Sequence, residues 1–410
     1  MSESDNGIDI MEKTKQWGRM AAHFINTYTW VIFFVILALG IKHFVYIWDK
    51  KEINFNIFNR DLTTFNPRIY KVTEDEYKQN IPIRDYFVMS SYNSCVGGDA
   101  FQDWVDIEIL KRLIKSGVRG FDFELYMKDG ECVVAVGPEA EKGKFMLKGS
   151  YNYLDFGEVL KTLDSYGFGT VSNSSDPIFV NLRIKSTNPE IYYKISKIIQ
   201  DNSIIRTKNR ITDKRFTVYA NLYKKYQYKH QQAKNIINEP LKLIKNKMIF
   251  VCNDIAENSF WGEWNEDYTG RAKNNYKFME CINISNVIGN CLPMSNYGVV
   301  FSHNAGQLKK DLKLIHGISV PDFSVDPDKN GKWEKHAEIG IQLIYMKFYK
   351  RDGELISYIK NWDLAKKAII RKPRHLRFFA IPIKAPRKQK KELDFGPRKC
   401  NPKNAFMQCI

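Results

Sequence analysis

Three stretches of this chain carry residues that could do chemistry. FVMSSYNSCVGGDA starts at Phe87, GVRGFDFELYMKDGECVVAVGPE starts at Gly117, and PIFVNLRIK runs from Pro177 to Lys185. Among the groups there that could exchange a proton are Tyr92, Asp122 and Glu124, and Asn93 adds an amide oxygen. No histidine lies between His43 and His230. A tyrosine, with a pKa of about 10, is a poor general acid–base near neutral pH.

Alternating elements must position these groups. Apolar runs predict strands at Phe87–Ser91, Gly120–Tyr126, Cys132–Val136, Pro177–Ile184 and Lys247–Asn253. Helical patterns lie between them at Trp104–Lys115, Tyr153–Tyr166 and Pro189–Gln200. Strand–helix alternation of this kind predicts a parallel sheet. At 410 residues and 44% hydrophobic content, the chain has room for an α/β barrel plus an N-terminal extension.

The extension reads as a membrane span. From Phe24 to Ile41 no residue is charged (FINTYTWVIFFVILALGI), and a snorkelling Lys42 could extend the run to Ile47. Within the expected transmembrane helix, 24–48, the apolar body includes Phe34 and Leu37, with Tyr28 and Trp30 at one end and Tyr46 and Trp48 at the other as interfacial belts. A buried core helix is the alternative. A signal peptide fits poorly, because the run starts late and lacks a small-residue cleavage site. Lys13, Lys15 and Arg19 before the span nearly balance Lys42, Lys50, Lys51 and Arg60 after it. Cysteine usage gives the orientation instead. Cys95, Cys132, Cys252, Cys281, Cys291, Cys400 and Cys409 form no CxxC pair, so reduced thiols and a cytosolic C-terminal domain are expected. Residues 1–23 read as a polar N-terminal segment and 49–83 as a polar connection with little periodicity.

A net charge of +17 and a pI near 9.3 imply a polyanionic neighbour. No zinc-finger spacing or RNP-type aromatic motif is present, so an anionic membrane is placed ahead of nucleic acid. Two basic stretches stand out: Arg206–Lys247, and a tail (384–410) with Lys384, Arg387, Lys388, Lys390 and Lys391. The first reads as a solvated face, the second as an electrostatic hold on anionic lipid. The C-terminal Met407-Gln408-Cys409-Ile410 is not a prenylation box. His303, His316 and His336 have no partners at catalytic or metal spacing, and structural roles are expected for them.

The ordered blocks resemble the X and Y regions of phosphoinositide-specific phospholipase C, a (β/α)8 barrel of the TIM type. Ser91-Tyr92-Asn93-Ser94 resembles its Ser-His-Asn-Thr, Asp122-Phe123-Glu124 its Glu-Leu-Asp, and Ala135-Val136-Gly137 its Tyr-His-Gly. In the second half, NYGVVFSHNA (Asn296–Ala305) is a candidate opening strand. GIQLIYMKF (Gly340–Phe348) and AIIRKPRHLR (Ala368–Arg377) resemble the family's Gly-Cys-Gln-Ile-Val-Ala-Leu-Asn-Phe and Tyr-Val-Leu-Lys-Pro-x-Phe-Leu-Arg. The implied halves are 84–253 and 295–383, joined by a linker at 254–294.

The resemblance implies two catalytic histidines, a calcium ion and clamps for ring phosphates. Here the histidine positions hold Tyr92 and Val136. The calcium positions hold Asn93, Asp122 and Glu124, with Arg183 where the family has a glutamate. That arginine is expected to bridge Asp122 and Glu124 as a buried ion pair. The phosphate-clamp positions hold Val251, Asn253, Ile318 and Val320, and Ser302 alone is retained. The primary expectation is therefore a non-catalytic, membrane-anchored barrel that binds or scaffolds at anionic lipid, without cofactor and with room for a protein partner. A divergent phosphoric diester hydrolase using Asp122, Glu124 and Tyr92, with calcium in that case alone, is the second. A basic nucleic-acid-associated protein is the third.

Overall fold

The computed structural model describes residues 4–65, 67–137, 149–186, 188–212, 235–252, 278–285, 291–294, 305–321 and 329–379. Eight parallel strands form a nearly closed barrel: β1 (Tyr86–Ser91), β2 (Gly120–Lys128), β5 (Ile178–Ile184), β6 (Met248–Cys252), β7 (Ile284–Ser285), β8 (Cys291–Met294), β9 (His316–Ser319) and β10 (Leu343–Met346). Each pairs with its neighbours in chain order, and β10 returns to pair with β1. Among the described residues no ladder joins β7 to β8, which leaves the seam there.

Three further strands decorate the barrel. β3 (Glu131–Ala135) folds back antiparallel on β2, β4 (Leu154–Asp155) pairs with β3, and β11 (Ile369–Arg371) runs antiparallel to β1. The block Gly340–Phe348 thus holds a strand only at Leu343–Met346, and Ala368–Arg377 supplies an outer strand.

Local sequence sets the helices in place. α3 (Ile107–Lys115) starts where Asp106 accepts from Glu108 N, and it buries Ile109, Leu110, Leu113 and Ile114 against the barrel. α4 (Phe156–Gly167) is capped in the same way by Asp155, and α5 (Glu190–Asp201) follows β5. α8 (Trp333–Ile339) ends on Gly340 at φ 100, a left-handed position that suits glycine. α9 (Gly353–Ala365) is capped by Asp352 and buries Leu355, Tyr358, Ile359 and Trp362. Short helices α2 (Glu74–Lys78), α6 (Ser203–Thr207) and α7 (Ala305–Asp311) complete the set.

The N-terminal region departs from expectation. α1 is one helix from Ser4 to Phe65, so residues 49–65 are not part of a loose connection. Phe55, Phe58, Leu62 and Phe65 recur at helical spacing, and all four pack on the barrel core. Tertiary burial of that stripe keeps the backbone helical. The apolar window upstream is different, since none of it is buried. It is long and apolar enough to be a candidate membrane span.

At the end of the barrel where the strands begin, Arg119 is wholly buried. Its guanidinium donates to the Gly167 carbonyl (2.9 Å) and to the Asn173 backbone and side-chain oxygens (both 2.6 Å). Nearby Asp176 accepts from Val72 N and the Tyr77 hydroxyl, each at 3.0 Å. The described cysteines, Cys95, Cys132, Cys252, Cys281 and Cys291, are buried thiols. Residues 378–410 form a second unit, of which only Phe378 and Phe379 are described.

Burial gives the fold a pH dependence. It pushes His316 down to about 3 and His336 to about 4, from an ordinary 6.5. It pushes the Asp176 carboxyl up from 3.8 to about 6, against the pull of Arg119. Unfolding below pH 6.5 therefore lets both imidazoles take up protons they refuse in the fold, and stability falls with pH. Asp176 opposes this between about 6 and 3.8, because the native carboxyl takes its proton first. The two imidazoles outweigh the Asp176 carboxyl, and Glu76 and Asp99, whose pKa values are lowered, add to the loss, while Asp85 and Asp103, raised by burial, oppose it. Urea midpoints of detergent-solubilised protein should fall as the pH is lowered from neutral to about 4.5. His316→Gln should remove roughly one proton, or about 1.4 kcal/mol per pH unit, from that slope, and Asp176→Asn should steepen it.

Candidate functional site

β1 stops at Ser91, and Asn93 then adopts φ 42, a left-handed turn that asparagine tolerates better than most residues. The turn is pinned to β2. Asn93 N donates to Asp122 Oδ2 (3.1 Å), Ser94 N to the Asp122 carbonyl (2.9 Å), and Asp122 N to Ser94 Oγ (3.0 Å). Tyr92 and Asn93 are thereby fixed at the carboxyl end of the barrel.

Strand alternation supplies the rest. On β2, Asp122, Glu124 and Tyr126 share one face, with Phe121, Phe123 and Leu125 on the other. On β5, Asn181 and Arg183 share a face in the same way. The parallel register sets Asp122 beside Asn181 and Glu124 beside Arg183.

The guanidinium of Arg183 lies among these oxygens. Its Nε donates to Asp122 Oδ1 (2.9 Å) and Oδ2 (3.1 Å), and its Nη2 to Asp122 Oδ2 (2.7 Å). Nη1 donates to Glu124 Oε1 (2.7 Å), and Nη2 also donates to Asn93 Oδ1. The Tyr92 ring stacks on the other side, 4.3 Å from Cζ. Asp122 is 0%, Glu124 3% and Arg183 6% exposed, so the pairs act in a poorly hydrated setting. Burial opposes the charge on Arg183, but Asp122, Tyr92 and Glu124 hold its pKa well above the ordinary guanidinium value.

The site residues Tyr92, Asn93, Asp122, Glu124 and Arg183 are thus brought together. Val136 lies beside them on the segment after β3. It is buried, and its neighbour Gly137 N donates to Glu124 Oε2 at 3.1 Å. Val251 on β6 is buried next to Asn181 in register. Ile318 is buried on β9, and Val320 is half-buried just beyond it. Asn253, Ser302, Lys384, Arg387, Lys388, Lys390 and Lys391 lie outside the described residues, as do residues 213–234 of the basic stretch and the opening block from Asn296 to Asn304. On α1, Trp30, Phe34, Leu37, Tyr46 and Trp48 are all exposed, at 46–67%.

Sequence reasoning missed Asn181, whose Nδ2 donates to Asp122 Oδ1 (2.7 Å), and Tyr126, whose hydroxyl lies 3.0 Å from Glu124 Oε2. The signal was present. Each stands two residues from a named site residue on the same strand, and so on the same face.

This arrangement has little acid–base capacity. Burial drives the Tyr92 hydroxyl well above its ordinary pKa of 10, and Val136 has no proton to give. Arg183 takes both Asp122 oxygens, Glu124 Oε1 and Asn93 Oδ1, and Glu124 Oε2 accepts from the Tyr126 hydroxyl and Gly137 N, so a positive charge already stands among the oxygens that a divalent cation would need.

Residues 79–232 match the family described as phosphatidylinositol-specific phospholipase C, X domain. The fold over 73% of the chain is similar to PLC21 from L. pealei, at 13% identity and a TM-score of 0.53, and to PLC21 from S. officinalis, at 12% and 0.52. In each comparison the alignment covers 73% of this chain and 38% of the other, so the chain spans about two fifths of those proteins. At such identities the likeness establishes the barrel type. No curated protein matches the chain in sequence.

Removing one member of the cluster should expose its energetic importance. Arg183→Ala leaves Asp122 and Glu124 buried without their cation and should cost about 3–5 kcal/mol, read as a lower denaturation midpoint. Arg183→Lys should recover only part of this, because an ammonium cannot span both carboxylates with a planar fork.

Proposed function

We propose that this chain, whose first barrel half resembles the phospholipase C X domain, is a non-catalytic binding or scaffolding barrel anchored to an anionic membrane. One observation carries the proposal: the Arg183 guanidinium is hydrogen-bonded to Asn93, Asp122 and Glu124 together. Phosphodiester cleavage at neutral pH needs groups that move protons and a charge that stabilises the leaving oxygens. Tyr92 and Val136 supply no proton shuttle, and the positive charge present is fixed by its own carboxylates. The residual site then serves to hold the strand ends together.

Membrane attachment rests on α1. Its apolar window lies outside the barrel core, which counts against a buried core helix. The net charge of +17 favours an anionic surface, and the basic tail from Lys384 to Lys391 would add to that hold. The buried thiols of the described cysteines are compatible with a cytosolic barrel. Of the alternatives, the divergent hydrolase would have to work around Arg183, and no nucleic-acid-reading element is apparent among the described residues.

Two measurements test this reading. Purified protein in mixed micelles should release no inositol phosphate from phosphoinositide above a protein-free control, with or without calcium. Robust turnover abolished by Asp122→Asn would overturn the non-catalytic assignment. In flotation, residues 49–410, which keep the core-packing part of α1, should associate with phosphatidylserine vesicles and dissociate as salt is raised, whereas the full chain should stay bound.

A further inference from the structure

One face of α1 grips a single loop of the barrel. Ile47, Lys50, Lys51 and Asn54 recur at i, i+3, i+4 and i+7, so they share a side of the helix. All four meet the β1–α3 loop, residues 92–106. The Ile47 carbonyl accepts from Trp104 Nε1 (2.9 Å), and Lys51 pairs with Asp106 (3.6 Å). Asn54 Nδ2 donates to Asp103 Oδ2 (2.7 Å), with Lys50 Nζ 3.4 Å from the same oxygen. Lys50 also donates to the Gln102 carbonyl (3.1 Å).

Asp103 anchors that grip. It is 1% exposed, and its carboxylate also accepts from Asp99 N and Trp104 N, both at 2.7 Å. A buried carboxylate depends on its donors, so α1 is part of what keeps the loop tip folded. The loop backbone passes close beneath the helix. A Cβ on Gly98 would stand 2.2 Å from Asn54 Nδ2 and 2.5 Å from Asp103 Oδ2, and would push the Asn54 amide off the carboxylate. From the other side, Lys350 beyond β10 donates to Asp99 (2.9 Å), which lies 3.5 Å from Lys50.

A short path leads from the tip to the Arg183 cluster. Val96 and Val105 form an antiparallel bridge, and Asp106 N donates to the Cys95 carbonyl (2.8 Å). Val96 N donates to the Asn93 carbonyl (2.9 Å). Asn93 in turn presents Oδ1 to Arg183 Nη2 and N to Asp122 Oδ2. Cys95 and Val96 are buried between these points, and close-packed residues pass a displacement on rather than absorb it. The left-handed turn at Asn93 is a conformation the loop must hold in place.

We infer that the 47–54 face of α1 is a latch: docked on Asp103, it holds the β1–α3 loop and through it keeps Asn93 on Arg183, and its release frees that side of the cluster. The position of the long helix is thereby coupled to the order of the site, whether or not α1 crosses a membrane.

Residue-resolved hydrogen exchange on the detergent-solubilised full chain tests the latch. Lys50→Met combined with Asn54→Leu removes the two α1 side chains that reach Asp103. The amides of Asn93, Ser94 and Val96 should then exchange at least fivefold faster, with those of Val180 and Leu182 in β5 within about twofold of the parent. Acceleration confined to residues 99–106 overturns the link from tip to cluster, and unchanged exchange throughout the loop overturns the latch itself. Where the double variant loosens β5 as well, Gly98→Ala decides, because it wedges the Asn54 amide away with every charge kept. The same local acceleration in Gly98→Ala supports the latch. Equal acceleration of loop and β5 in both variants overturns it, since the loop then follows the stability of the whole barrel.

Discussion

Two buried carboxylates must be neutralised for this barrel to close, and one guanidinium does most of that work. Asp122 and Glu124 bring two negative charges and Arg183 returns one positive. The remaining charge is spread over neutral donors: Asn93 N and Asn181 Nδ2 on Asp122, and Gly137 N on Glu124. These donors come from the β1 turn, from β5 and from the segment after β3. The cluster therefore ties the carboxyl ends of neighbouring elements into one network. A carboxylate left partly satisfied there would cost more than an apolar replacement, and each oxygen of Asp122 and Glu124 has at least one donor.

Much of this was legible in the sequence because strands obey a two-residue period. The run Phe121–Leu125 alternates apolar and acidic residues, and that pattern alone places Asp122 and Glu124 together. Arg183 was legible through its position on the next barrel strand. Asn181 and Tyr126 follow the same rule and were overlooked because neither carries a charge. The extent of α1 was misjudged for a different reason. Phe55, Phe58, Leu62 and Phe65 form a narrow stripe in an otherwise polar segment, and its significance depends on a partner surface that only the folded barrel supplies.

Likeness of frame and likeness of chemistry separate clearly in this chain. The strand order and the X-domain match describe a phospholipase C-type barrel. Among the described residues, Asn93, Asp122, Glu124 and Arg183 at its mouth are bonded to one another. The fold thus constrains where a site would be without fixing what the site does.

The helix from Ser4 to Phe65 contains no proline, and it is continuous through the point where it meets Trp104. A rod without a hinge transmits angle. Under the proposed membrane anchoring, any tilt its apolar end adopted to match a thinner or thicker bilayer would swing the attached barrel by the same amount. Bilayer thickness would then act as a mechanical input, read out as the height and pitch of the barrel.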